Sequence, residues 1–121
     1  MIVFFEDSFD SAHWLPNVPA EHKCRNLHGH TYRVRLELEG EIGPETGWVI
    51  DYAEIKKLWE PVKAILDHHC LNEIEGLENS TCELVAQWIW IRMRDLPGHR
   101  CVWLMSLEVR ETEHCGVVIV R

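Results

Sequence analysis

Between Cys24 and His30 the chain reads Cys-Arg-Asn-Leu-His-Gly-His, which sets one thiol and two imidazoles within seven residues. His28 and His30 lie two apart, so in an extended strand their side chains leave the same face. Gly29 between them leaves room for other groups to approach. Two imidazoles on one face are two thirds of a catalytic zinc site, and His13, near the end of the preceding apolar segment, can supply the third. Three neutral imidazoles suit zinc best, although they also take iron, nickel or copper. Three protein ligands leave one position open for water or substrate. Cys24 then has three readings. It is a fourth ligand that closes a structural site, an inert buried thiol, or a base whose thiolate is favoured by a metal and by the flanking Lys23 and Arg25.

Two other groups carry chemistry. In Asp67-His68-His69 a carboxylate stands beside imidazoles whose tautomer and basicity it can set. Adjacent side chains rarely meet in that way, so the alternatives are that Asp67 orients some other group or that the run is a solvated helix end. Glu111 follows Trp103, Met105, Leu107 and Val109 in strand phase. A carboxylate that continues an apolar face is costly unless paired. It can grip a flat aminopyrimidine ring through two parallel hydrogen bonds, or it is an exposed strand end.

These residues need a scaffold, and the patterning supplies one. Residues 2–13 read as a strand, and Pro16 and Pro19 mark a loop that delivers Cys24. From His28 to Leu38 the even positions are apolar or histidine and the odd ones mostly charged, a period of two. Gly43–Gly47 is a turn. Asp51 with Glu54 opens a helix that carries Tyr52, Ile55, Leu58, Trp59, Val62, Ile65 and Leu66, and Pro61 should kink or split it. Ser80 with Glu83 opens a second helix that carries Leu84, Val85, Trp88, Ile89 and Ile91 and stops at Pro97-Gly98. Strands over 100–111 and 115–121 close the chain. The expectation is an α+β domain over 1–121: a four-stranded antiparallel sheet in ββααββ order with two helices on one face. Exposed sheet edges predict an oligomer.

Composition narrows the function. There are 12 basic and 20 acidic residues, a net charge of −8, which disfavours nucleic acid as a partner. An anionic substrate then needs a local basic pocket. Hydrophobic content of 46% and six tryptophans exclude disorder. Five cysteines without a C-x-x-C pair suggest reduced thiols in a cytoplasmic enzyme, with Cys101 and Cys115 candidates to face each other on paired strands. The start turns acidic at once, unlike a signal peptide, and no apolar run is long enough for a membrane span.

The assembled pattern resembles the 6-pyruvoyltetrahydropterin and 6-carboxytetrahydropterin synthase family. The resemblance rests on His13 in a Phe-x3-His context, Cys24-x3-His28-Gly29-His30, Gly47-Trp48-Val49-Ile50-Asp51, Leu66–Asn72 and Val109-Arg110-Glu111-Thr112. It covers nearly the whole chain. The short spacer between Cys24 and His28 resembles the carboxy-forming branch, which feeds queuosine and other 7-deazaguanines. The resemblance implies the tunnelling fold, in which subunits of a trimer or hexamer join their sheets into a barrel with active sites between them. It implies zinc on His13, His28 and His30, Cys24 as the proton-abstracting thiolate, Asp67 with His68 as a proton relay, and Glu111 and Thr81 as pterin contacts. Ser80 stands where bacterial relatives commonly carry proline, and Cys82 where serine or threonine is usual. The implied substrate is 7,8-dihydroneopterin triphosphate, and the implied products are 6-carboxytetrahydropterin, acetaldehyde and triphosphate. The sister pyruvoyl-forming and aldolase-like activities share most of these residues. Two readings outside the family remain: a non-catalytic Cys/His zinc module, and a hydrolase that uses Cys24 as nucleophile with His68.

Overall fold

A computed structural model describes residues 1–96, 98–99 and 101–121. Strand β1 (Ile2–His13) pairs antiparallel with β2 (His28–Gly40) along its whole length, from Ile2 opposite Glu39 to His13 opposite His28. Helix α1 (Tyr52–Leu66), a two-residue strand β3 (His69–Cys70), helix α2 (Cys82–Met93), β4 (Val102–Arg110) and β5 (Gly116–Val120) follow. The sheet order is β3-β1-β2-β4-β5. All pairings are antiparallel except β3, which runs parallel to β1 through Ser11 opposite His69 and Ala12 opposite Cys70.

That fifth strand corrects the four-stranded ββααββ expectation: the sheet is mixed and five-stranded, with β3 between the helices. Two residues carry no periodic pattern, so β3 is specified only by the backbone of β1 that it meets. The helices pack on the sheet face that carries Phe9, Val34, Leu36, Leu107 and Val109, where Trp59, Leu66, Val85 and Ile89 complete the core.

Three local expectations change. Asp51 caps α1 by accepting the Ala53 N–H at 2.8 Å, and the helix then runs through Pro61 without splitting. Pro61 is exposed, while Trp59, Val62 and Leu66 on the buried stripe hold both halves to the sheet. Helix α2 is capped by Thr81, whose hydroxyl accepts the Leu84 N–H at 3.3 Å, and not by Ser80, which turns fully into the interior. Its buried stripe runs Cys82, Val85, Ala86, Ile89 and Met93, which leaves Ile91 on the exposed side. The expected stop at Pro97-Gly98 falls partly outside the described residues, because Pro97 is not among them.

In β4 the register against β2 shifts between Glu37 and Leu38: Leu38 faces Leu104 while Glu37 faces Ser106. The extra residue moves Trp103 off the face of Leu107 and Val109, and Val102 and Leu104 take the buried positions instead. Cys101 and Cys115 do not face each other, since one precedes the first residue of β4 and the other lies beside its last.

Asp7 joins helix to sheet. Its Oδ2 accepts from the Trp59 indole N–H and from Lys63 Nζ, both at 2.9 Å. Burial opposes its ionisation, but Lys63, the Ser8 amide and the indole together hold its pKa below the ordinary value. Replacing Asp7 with Ala is expected to lower stability by about 1.5–3 kcal/mol, read as a lower urea midpoint at unchanged slope. A depressed carboxyl pKa stabilises the fold above the ordinary carboxylate range, and that contribution is lost as pH falls through the depressed value. The gap between wild type and D7A should therefore close in acid.

Candidate active site

The antiparallel register of β1 and β2 builds the site. His13 stands directly opposite His28, and His30 is opposite Ser11, one step further along the same face. The three rings form a triangle with centroids 4.6 Å (His13–His28), 5.2 Å (His13–His30) and 4.9 Å (His28–His30) apart. Beneath them Tyr32 stacks on Phe9 at 4.9 Å, so the histidine face continues into the core without a break. Trp14, the residue after His13, is clamped by Asn72, whose side chain accepts its N–H at 3.0 Å and donates to its carbonyl at 2.7 Å.

Backbone carbonyls set the tautomers. His13 Nδ1 lies 2.9 Å from the Ser80 carbonyl, and His28 Nδ1 lies 2.7 Å from that of Asn26. A carbonyl only accepts, so each Nδ1 carries the proton and each Nε2 keeps a lone pair. Glu111 closes the group. Its Oε1 is 3.2 Å from His13 Nε2 and 3.0 Å from His30 Nε2. One ligand atom from each of His13, His28, His30 and Glu111 lies within 4.8 Å of the others.

This arrangement fits a divalent cation. A lone pair on His13 Nε2 facing a carboxylate oxygen at 3.2 Å is a repulsive contact that a bound cation, like a proton, relieves. His30 Nε2 is buried without a hydrogen-bond partner, because its approach to Glu111 lacks hydrogen-bond alignment. Burial lowers the His30 pKa and favours the neutral, ligating form. The approach of His13, against the opposing effect of burial, holds the Glu111 pKa below the ordinary carboxylate value, so the group stays anionic. Three imidazoles and a carboxylate suit zinc and other first-row metals.

The remaining predicted residues stand around this group. Cys24 lies in a short 3-10 turn (Lys23–Arg25), half-buried, and its thiol is not among the converging atoms. The turn is tied to the end of β1 by the Leu15 N–H, which donates to the Cys24 carbonyl at 2.8 Å. Arg25 donates to the Val18 carbonyl and so holds its own loop.

Asp67 and His68 do meet, which the sequence spacing argued against: His68 Nδ1 is 2.9 Å from Asp67 Oδ2. The reason is the backbone of His68, in the left-handed region at φ 57°, a strained state for a non-glycine residue. Asp10 stabilises it, donating its N–H to Asp67 Oδ1 at 2.9 Å and accepting the His68 N–H at 2.7 Å. The Asp10 amide lowers the Asp67 pKa, and Asp67 raises that of His68. His68 is exposed and borders an open groove with His30 that runs over Ala12 and Gly29. A Cβ at Gly29 would meet only the Ser11 carbonyl, at 3.6 Å, so the strand pairing does not itself require glycine here.

Sequence reasoning missed Ser80 as the partner of His13, Asn72 as its clamp, and Glu111 as a member of the histidine group. For Asn72 the only signal was its place in the specific Leu66–Asn72 stretch; the other two depend on tertiary approach.

A family model described as 6-pyruvoyl tetrahydropterin synthase matches residues 2–121. The chain is 42% identical over 118 residues to a 6-carboxy-5,6,7,8-tetrahydropterin synthase from Synechocystis sp., covering 92% of this chain and 86% of that protein. It is 38% identical over 116 residues to a dihydroneopterin monophosphate aldolase from Pyrococcus furiosus, covering 95% and 93%. The fold is similar to that of Caenorhabditis elegans 6-pyruvoyl tetrahydropterin synthase, with a TM-score of 0.85 at 28% identity and coverage of 100% and 96%.

Titration of the chelated protein with zinc is expected to show one tight site per chain, weakened at least tenfold in His28→Ala. The apolar core of Phe9, Tyr32, Leu36, Trp59 and Leu107 closes without the histidines, so the far-ultraviolet circular dichroism should be unchanged without metal. Unfolding on chelation would mean a structural site.

Proposed function

We propose that this chain, which belongs to the 6-pyruvoyl tetrahydropterin synthase family, converts 7,8-dihydroneopterin triphosphate and water to 6-carboxy-5,6,7,8-tetrahydropterin, acetaldehyde and triphosphate. The observation that carries the reading is the convergence of His13, His28, His30 and Glu111 at one end of the sheet. The identity to the Synechocystis synthase directs it to this substrate and to the queuosine branch.

In this reading His13, His28 and His30 hold zinc, and Glu111 and Thr81 recognise the pterin. Bound zinc supplies Lewis acidity toward the side-chain hydroxyls and the adjacent C–H bond. Cys24, outside the ligand group, takes a proton as thiolate. His68, held by Asp67, moves a proton on the other side, and its raised pKa keeps it protonated further toward neutral pH. The Thr81 hydroxyl spends a lone pair on the helix cap and keeps its own hydrogen to donate.

The same reading makes the protein a homo-oligomer, a trimer or hexamer with its sheets joined in a barrel. Ile2, Phe4, Val118 and Val120 support it: all are exposed on the sheet face away from the helices.

The 38% identity to the archaeal aldolase favours one second reading, retro-aldol cleavage of a dihydroneopterin phosphate at the same site. Incubation with 7,8-dihydroneopterin triphosphate and, in parallel, the monophosphate separates the two: 6-carboxytetrahydropterin with acetaldehyde supports the synthase, and 6-hydroxymethyl-7,8-dihydropterin supports the aldolase. Cys24→Ala should keep its zinc and lose turnover by about 10²–10⁴-fold, whereas His28→Ala should lose both. Metal lost in proportion to activity in Cys24→Ala would make the thiol a ligand.

A further inference from the structure

Cys24 is held by both of its main-chain polar groups. Its carbonyl accepts the N–H of Leu15, two residues beyond His13, at 2.8 Å. Its N–H donates to Nδ1 of His22 at 3.1 Å, and His22 is the extended residue that opens the Lys23–Arg25 turn. The Arg25 N–H closes the turn by donating to the His22 carbonyl at 3.0 Å. A main-chain N–H only donates, so Nδ1 is the bare nitrogen, Nε2 carries the proton, and the capping ring is neutral. Nδ1 stands as many bonds from Cα as Oδ1 of asparagine or aspartate, the side chains that ordinarily cap. An aspartate would add an anion two residues from the thiol, and a nearby anion disfavours a thiolate. The turn itself holds Lys23 and Arg25 and no acid, with Glu21 just ahead of the cap. Of the two tethers on Cys24, the one from Leu15 is backbone, whereas the one from His22 is a side chain that substitution can remove.

We propose that His22 is the positioning residue of the Cys24 thiolate, a neutral cap that fixes the turn carrying the thiol without setting a negative charge beside it. The proposal rests on the reading of Cys24 as the base. A base must come within hydrogen-bond reach of the proton it takes, and a displacement of about 1 Å costs on the order of 10²-fold in rate. The cap therefore acts on turnover through Cys24. A neutral side chain that accepts the Cys24 N–H serves equally at position 22. An anionic one restores the turn and not the thiolate.

The test compares zinc-loaded wild type with His22→Ala, His22→Asn, His22→Asp and Cys24→Ala. Hydrogen exchange of the Cys24 amide is followed by NMR, iodoacetamide alkylation of Cys24 at neutral pH by mass spectrometry, and kcat with 7,8-dihydroneopterin triphosphate. In His22→Ala the amide should exchange at least about fivefold faster, and kcat should fall about 3–30-fold at unchanged zinc content. His22→Asn should return both to within about twofold of wild type. His22→Asp should restore slow exchange but leave alkylation and kcat at least about threefold down. Wild-type exchange in His22→Ala means that there is no cap, and faster exchange at wild-type kcat means that the cap does not place the thiol. A loss of kcat that His22→Asn fails to restore, or that follows a loss of zinc, gives the imidazole another role. Each of these overturns the proposal, and His22→Asp as active as His22→Asn overturns the requirement for a neutral cap. Cys24→Ala with full turnover brings down the reading of Cys24 as base, and the proposal with it. An inactive Cys24→Ala beside a fully active His22→Ala brings down the proposal alone.

Discussion

The pairing of β1 with β2 is the constraint on which the site depends. His13 and His28 meet only because the two strands align from Ile2–Glu39 to His13–His28 without a bulge. Side chains alternate with a period of two, so a slip of one residue would send His28 and His30 to the solvent face and His13 to no partner. What pins the register is the other end of the same strands: Phe9, Tyr32, Val34, Leu36 and Leu38 are all buried on the face that the histidines continue. The core and the site are one pattern read from opposite ends.

The second layer is made of backbone and not of side chains. Carbonyls of Ser80 and Asn26 hold the Nδ1 protons of His13 and His28, so the ligating nitrogens keep their orientation through changes of side chain nearby. This accounts for a chain that carries serine at position 80: the carbonyl is available from any residue there, and the Ser80 hydroxyl only adds a 3.2 Å contact to the same nitrogen. Asn72 secures the chain just beyond His13 in the same way, through main-chain groups of Trp14.

Asp10 links the site to the Asp67–His68 pair. Both of its backbone polar groups are used, one on each residue of the pair, and it lies three positions before His13 on the same strand. The left-handed backbone of His68 costs about 1–2 kcal/mol and persists because these bonds and the short β3 pairing beyond it determine the segment. A carboxylate and an imidazole adjacent in sequence are thereby brought into contact on an exposed edge.

The strand and helix assignments, the three histidines on one face and the resemblance to pterin synthases were all legible from residue type and spacing, because each is a local or periodic property. Strand β3, the bulge that turns Trp103 outward, the contact within Asp67-His68 and the use of Thr81 in place of Ser80 as cap were not. Each depends on which backbone groups find partners across the fold, and two residues of pairing or one extra residue in a strand leave no period to read. Glu111 shows the division most clearly. Its residue type marked it as a functional carboxylate, but only the approach of the end of β4 to His13 and His30 decided that it shares a site with the metal-type histidines.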